Sequence, residues 1–233
     1  GKNVHRFILK ALPVLIIIGL IFPMMHQSSL GGLFLIAKSK MYPLWWSEFL
    51  PLYFLMSSFF VGSAMVCIET ELARRAYRHE IPTNVLKNLT RVGARIMAAY
   101  LALKLFDIIA QGQVGLLFAG NMQSNMFLLE LFLGIIIPLG IIFSPYAKTR
   151  NGLLTYSLLV AGGVVLNRMN MVFTSMYTSG SYFPSIWEFI VSAGLISVGC
   201  LLYCFIVENF VVIGESYAVP AKVQDATGEH SVH

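Results

Sequence analysis

The chain has 233 residues, of which 57% are hydrophobic and only 12% charged, against roughly 25% charged in soluble domains. A soluble globule of this composition, with a mean hydropathy of +0.75, would have to expose large apolar patches, so the composition points to an integral membrane protein with almost no soluble part. The formal net charge of +5 does not indicate nucleic acid, because the basic residues collect in short connections between apolar runs, as the positive-inside rule describes.

Several runs exceed the roughly 20 residues needed to cross hydrocarbon. They predict an all-α membrane bundle of six transmembrane helices over residues 1–213 and a polar cytoplasmic tail over 214–233. The first helix covers Phe7–Met25 and contains Pro13 and Pro23. Pro23 is expected to kink or end it just before His26. This run lacks the small-residue cleavage site of a signal peptide; it reads as an uncleaved anchor or as an internal helix of a longer protein. Ser29–Ser39 is too short to span and is placed as a short interfacial helix, capped by Ser28 or Ser29. Spans over Trp46–Ile68, Leu89–Gln111, Met122–Ser144, Leu153–Phe173 and Ser185–Ile213 follow.

The connections orient these spans. Lys2, Arg6 and Lys10 precede the first helix, and Arg74, Arg75, Arg78, Lys87 and Arg91 fill the connection before the third span. Lys148 and Arg150 join the fourth span to the fifth. On the other side stand Lys38 and Lys40, residues 112–121 carry no charge, and the last connection has none beyond Arg168 at its edge. This alternation predicts both termini in the cytoplasm and His26 on the outer side.

Two groups of residues are candidates for chemistry. The apolar run ending at Met25 gives way abruptly to His26-Gln27-Ser28-Ser29, with Trp45 and Trp46 a little further on. A polar cluster at a helix end beside aromatic rings is where a small redox molecule arriving through the bilayer would be met, and an interfacial His suits proton exchange. An ordinary helix cap accounts for the same residues. The second group lies inside the spans, where ionisable groups are costly and face a protein interior, a cavity or a partner. Lys104 and Asp107 are three apart, on one helix face, and can pair. At 1.5 Å per residue, Glu130 lies roughly 12 Å inside the next span, at a similar depth. Arg168, flanked by Asn167 and Asn170, approaches from the fifth span. The four charges read as a proton path or as structural ion pairs that lock the helices.

Other chemistries fall away. Haem b needs paired His on membrane helices, and the His residues stand at 5, 26, 79, 230 and 233, so no haem is expected on this chain. Cys67, Cys200 and Cys204 have no metal-ligand spacing, so no metal is expected either. No phosphate loop, nucleotide fingerprint or nucleophile motif is present. Electrons for any redox reaction would have to come from a partner.

Met25-His26-Gln27-Ser28-Ser29-Leu30-Gly31, followed by Tyr42-Pro43-Leu44-Trp45, is one of several motifs that occur together. The others are Leu117-Phe118-Ala119-Gly120, Glu130, Leu166-Asn167-Arg168 and Tyr182-Phe183-Pro184-Ser185-Ile186-Trp187-Glu188. With these motifs the chain resembles the NrfD/polysulfide reductase membrane-subunit family from about Arg6 to Val212. The nearest branch holds the membrane subunit of periplasmic NiFe hydrogenases (HybB-like). The resemblance implies a haem-free, quinone-interacting subunit of a multi-subunit respiratory oxidoreductase in a bacterial or archaeal cytoplasmic membrane. Such a subunit passes electrons between a periplasmic ferredoxin-like iron–sulfur subunit and the menaquinone or ubiquinone pool, with proton transfer as an added role. Further partners implied are a multihaem cytochrome, a molybdopterin subunit or a NiFe hydrogenase. The resemblance also implies that His26, Gln27, Ser28, Trp45 and Trp46 border a quinone, and that Lys104, Asp107, Glu130 and Arg168 are the family's intramembrane polar positions. Family members have more spans than the six read here, so the chain is expected to be a C-terminal portion, its front helices coming from the same gene or another chain. Two other roles fit the residues: an ion-conducting or transporter-like bundle, for which Pro13, Pro138 and the buried acids speak, and a structural membrane anchor.

Overall fold

In hydrocarbon every backbone N–H and C=O has to be satisfied within its own segment, which favours helices. The computed structural model describes residues 2–77, 83–176 and 185–209, and among these residues there is no strand. The α-helices are α1 (Lys2–Ile36), α2 (Leu50–Tyr77), α3 (Thr83–Ala110), α4 (Val114–Leu117), α5 (Met122–Leu131), α6 (Ile137–Phe143), α7 (Arg150–Met169) and α8 (Ile186–Asn209). A π-helical turn, Phe132–Ile136, fuses α5 to α6, and a second, Asn170–Thr174, extends α7. Short 3-10 turns at Lys38–Lys40 and Pro43–Trp45 fill the connection from α1 to α2.

Among the described residues, five stretches are long and apolar enough to cross a membrane: 10–36, 50–76, 122–143, 150–174 and 186–206. The sequence reading of six included α3. Its 28 residues are ample in length, but Lys87, Arg91, Arg95, Lys104 and Asp107 give it too many charges to qualify by apolarity. It is held by packing, with Ala94, Met97 and Tyr100 buried among Phe60 and Ala64 of α2 and Tyr156 and Val160 of α7.

The expected break before His26 is absent. The helix continues through Pro23 and the His-Gln-Ser-Ser stretch to Ile36, so Ser29–Ser39 does not form a separate interfacial helix. Proline is tolerated inside membrane helices because neighbouring groups re-satisfy the freed carbonyl. Gly31, just beyond the His-Gln-Ser-Ser stretch, serves packing. A β-carbon on Gly31 would lie 2.7 Å from the Leu50 carbonyl oxygen and 2.9 Å from the Pro51 Cα. Gly31 therefore lets the last turns of α1 lie directly on the start of α2. A similar contact occurs deeper in the bundle, where Gly134 in the first π turn meets the backbone of Gly163 in α7.

The chain divides into a unit up to Tyr182 and a second from Phe183. In the second, α8 is apolar along its length, and Ser185 donates to Glu188 in its first turn (3.3 Å). Cys200 and Cys204 on this helix are free thiols. The tail 214–233, the end of the sixth span at 210–213, and Tyr182-Phe183-Pro184 of the last motif lie outside the described residues.

Candidate functional site

Glu130 is the centre of the polar group. It projects from α5 just before the π turn and is 2% exposed. Its Oε1 accepts from Lys104 Nζ (3.0 Å) and Asn167 Nδ2 (2.7 Å). Its Oε2 accepts from Trp45 Nε1 (3.1 Å) and Asn170 Nδ2 (3.2 Å). A carboxylate offers about four lone-pair positions, so these donors saturate the ionised form. Lys104 also reaches the Tyr100 hydroxyl (3.4 Å) and sits 4.6 Å from the centroid of the Phe127 ring. Trp45 packs edge-on against that same ring. The connection carrying Trp45 is tied to the end of the second π turn, where Tyr42 N–H donates to the Ser175 carbonyl (3.0 Å). Asn167 precedes and Asn170 opens this wider turn, and π turns recur at functional sites.

Arg168 stands at a boundary. Its guanidinium donates to Ser57 Oγ (2.6 Å) and Asn167 Oδ1 (2.9 Å) and lies 3.4 Å from the Phe54 ring centroid. On one side is an open, mostly apolar cavity of about 690 Å³ between α1, α2 and α7, lined among others by Pro23, Gln27, Leu30, Phe54, Val61 and Arg168. On the other is a narrow cleft of about 20 Å³, enough for one water. This cleft is lined by Trp45, Trp46, Tyr53, Lys104, Asp107 and Arg168 among others. Asn167 bridges the two groups, taking Arg168 on its oxygen and giving its amide to Glu130.

The structure brings Lys104, Glu130 and Arg168 into one network, as the depth argument required. Lys104 chooses Glu130 on the neighbouring helix rather than Asp107 on its own. Asp107 accepts from Gln111 Nε2 (2.8 Å) and faces the narrow cleft. Trp45 is buried as a Glu130 donor, whereas Trp46 has the Lys38 ammonium 4.0 Å over its ring. Gln27 lines the large cavity; His26 is exposed and lines neither space, and neither does Ser28. Tyr100 and Ser57 were missed as members of the network. The signal for Tyr100 in the sequence is a polar residue one helical turn from a charge, Lys104, inside an otherwise apolar run; Ser57 has no such neighbour.

Apolar helices of spanning length around a buried, fully partnered ion pair define a multi-pass membrane protein with polar machinery in its interior. The family model described as polysulphide reductase, NrfD, matches residues 3–180, and the chain belongs to that family, as its motifs implied. A protein of Nitratidesulfovibrio vulgaris is 29% identical over 226 residues, which cover 92% of this chain and 58% of that protein. The probable Ni/Fe-hydrogenase 2 b-type cytochrome subunit of Escherichia coli K12 is 30% identical over 212 residues, covering 88% of this chain and 53% of that protein. The chain thus spans little more than half the length of the curated relatives it matches. No solved structure matches it.

Proposed function

We propose that the chain is a quinone-interacting part of the membrane subunit of a respiratory oxidoreductase. Arg168 carries this reading. It is a cation with no carboxylate partner among the described residues, set in the wall between an apolar cavity and a polar cleft. A quinone has an apolar tail and a polar ring, and this pair of spaces suits both ends. The tail lies along α1, α2 and α7 while a ring carbonyl accepts from Arg168 or from Gln27. Reduction takes two electrons and two protons. The electrons come from a partner, an iron–sulfur subunit on the outer side, which is in turn served by a cytochrome, a molybdopterin subunit or a hydrogenase. The membrane is the inner one, with both termini cytoplasmic.

The two acids divide the proton work. Glu130 stays ionised against Lys104 and holds the network's shape, a static part that a structural lock would also play. Asp107, which accepts from Gln111 and has the cleft before it, is the group that exchanges protons. The name of the Escherichia coli relative raises haem b, which needs axial ligands from the bundle. Among residues whose side chains are described, His26 is the only histidine, so these residues do not offer an imidazole pair.

The test is steady-state quinone kinetics in the intact complex. Arg168→Gln is expected to raise the quinone KM by roughly 10- to 100-fold, the worth of a charged hydrogen bond, with assembly intact. Gln27→Ala is expected to raise KM more than His26→Ala does. Unchanged kinetics in an assembled Arg168→Gln complex would overturn the reading, and a larger effect from His26 would move the quinone round α1 to the face about 100° from Gln27.

A further inference from the structure

We propose that a second cavity, distinct from the quinone reading and at the opposite end of α3, binds the phosphate headgroup of an anionic phospholipid. The cavity has a volume of about 430 Å³ and lies between the first half of α3 and the turn after α6. Lys87, Arg91 and Arg95 line it from α3 and Lys148 from the Pro145–Lys148 turn. The spacing of four puts the three α3 cations on one stripe, one turn apart. No carboxylate lines the cavity.

This concentration of charge is uncompensated among the described residues. Among the described residues none of the four side chains has an ion pair or a hydrogen bond. The contrast lies at the same end of the bundle, where Glu71 takes both Arg74 and Arg75. Like charges one turn apart repel, so four cations around one cavity, without a carboxylate partner among the described residues, favour an anion from outside the chain. The position selects a lipid over a free ion. The cavity sits where the apolar stretch 122–143 ends, so its cations lie at headgroup level and exposed Phe143 offers apolar surface to acyl chains just inside. Basic pockets between helices at the membrane surface hold anionic headgroups in this way. Arginine forks give two parallel hydrogen bonds to a phosphate, and Arg91 and Arg95 supply two such forks.

The test is native mass spectrometry of the intact, delipidated complex in detergent. It is titrated separately with phosphatidylglycerol, phosphatidylcholine and inorganic phosphate. Phosphatidylglycerol is expected to bind in preference to the zwitterionic lipid, with phosphate far weaker than either headgroup carried on its chains. Removing two interfacial cations in R91Q/R95Q is expected to weaken phosphatidylglycerol binding roughly 30-fold, while R91K/R95K keeps it within a few-fold. All these side chains are at least partly exposed, and K87Q/K148Q provides the same measurement should the first variant be unstable. Equal binding of the two lipids, or full binding by R91Q/R95Q, would overturn the proposal. Phosphate binding as tight as the lipid would make this a soluble-anion site. Loss of a co-purified subunit from R91Q/R95Q, with lipid binding intact, would make it a protein-docking face.

Discussion

Four donors meet the two oxygens of Glu130, so replacing it with Gln removes more than a charge. Glu130→Gln leaves Lys104 in a pocket floored by Phe127, without a counter-ion, and turns an amide N–H toward groups that are themselves donors. Breaking a buried pair from one side costs about 3–5 kcal/mol, and the intact complex in detergent is expected to melt at a lower temperature or fail to accumulate. Asp107→Asn should behave differently. It accepts from Gln111, a hydrogen bond that an asparagine oxygen can keep, so the complex is expected to assemble normally while quinone turnover falls about 100-fold, the ordinary worth of a general acid–base group. Normal turnover in Asp107→Asn, or normal stability in Glu130→Gln, would reverse the roles given to the two acids. The depth of these charges was legible because helical rise converts residue number into ångströms. The choice of partner was not. It depends on how α3 and α5 are rotated about their axes, and on Trp45, which arrives from a connection 85 residues away.

Among the elements, α1 departs most from its sequence reading. Pro23, His26 and the Gly31-Gly32 pair each suggest a stop in isolation, yet the helix runs past all of them to Ile36. Proline and glycine punctuate soluble chains strongly, but in lipid an interrupted helix leaves backbone groups without partners, and a glycine is as often a site of close approach. Gly31→Leu tests this. With 2.7 Å between a new β-carbon and the Leu50 carbonyl oxygen, α1 has to lift from α2, at a cost of about 1–3 kcal/mol. Melting at the wild-type temperature would show the contact to be loose. The spans of α2, α5–α6, α7 and α8 were legible from apolar length alone. The helix α3 was legible as a helix but not as a span by apolarity, because its charges are read against lipid although the inner ones are buried in protein.

For the whole molecule, the alternation of charged and uncharged connections predicts opposite sides for the two ends of α3. Asn84 and Gly115 are both exposed, one at the start of α3 and one in α4 beyond its end. In whole cells with a cysteine at one position or the other, an impermeant thiol reagent should label Gly115→Cys and leave Asn84→Cys unlabelled. The opposite pattern would invert the orientation. The two π turns carry a consequence of another kind. A π turn is what remains when one residue is inserted into an α-helix, and the neighbouring Glu130 and Asn170 are both in the network. One residue corresponds to about 100° of helix rotation. Losing a single residue from either turn would therefore swing the carboxylate or its amide donor a quarter-turn and more away from the other, while the downstream helix stayed seated. In lineages of this family, a one-codon deletion at either place is thus a larger step than most substitutions, because it separates the polar half of a helix from its packing half in a single event.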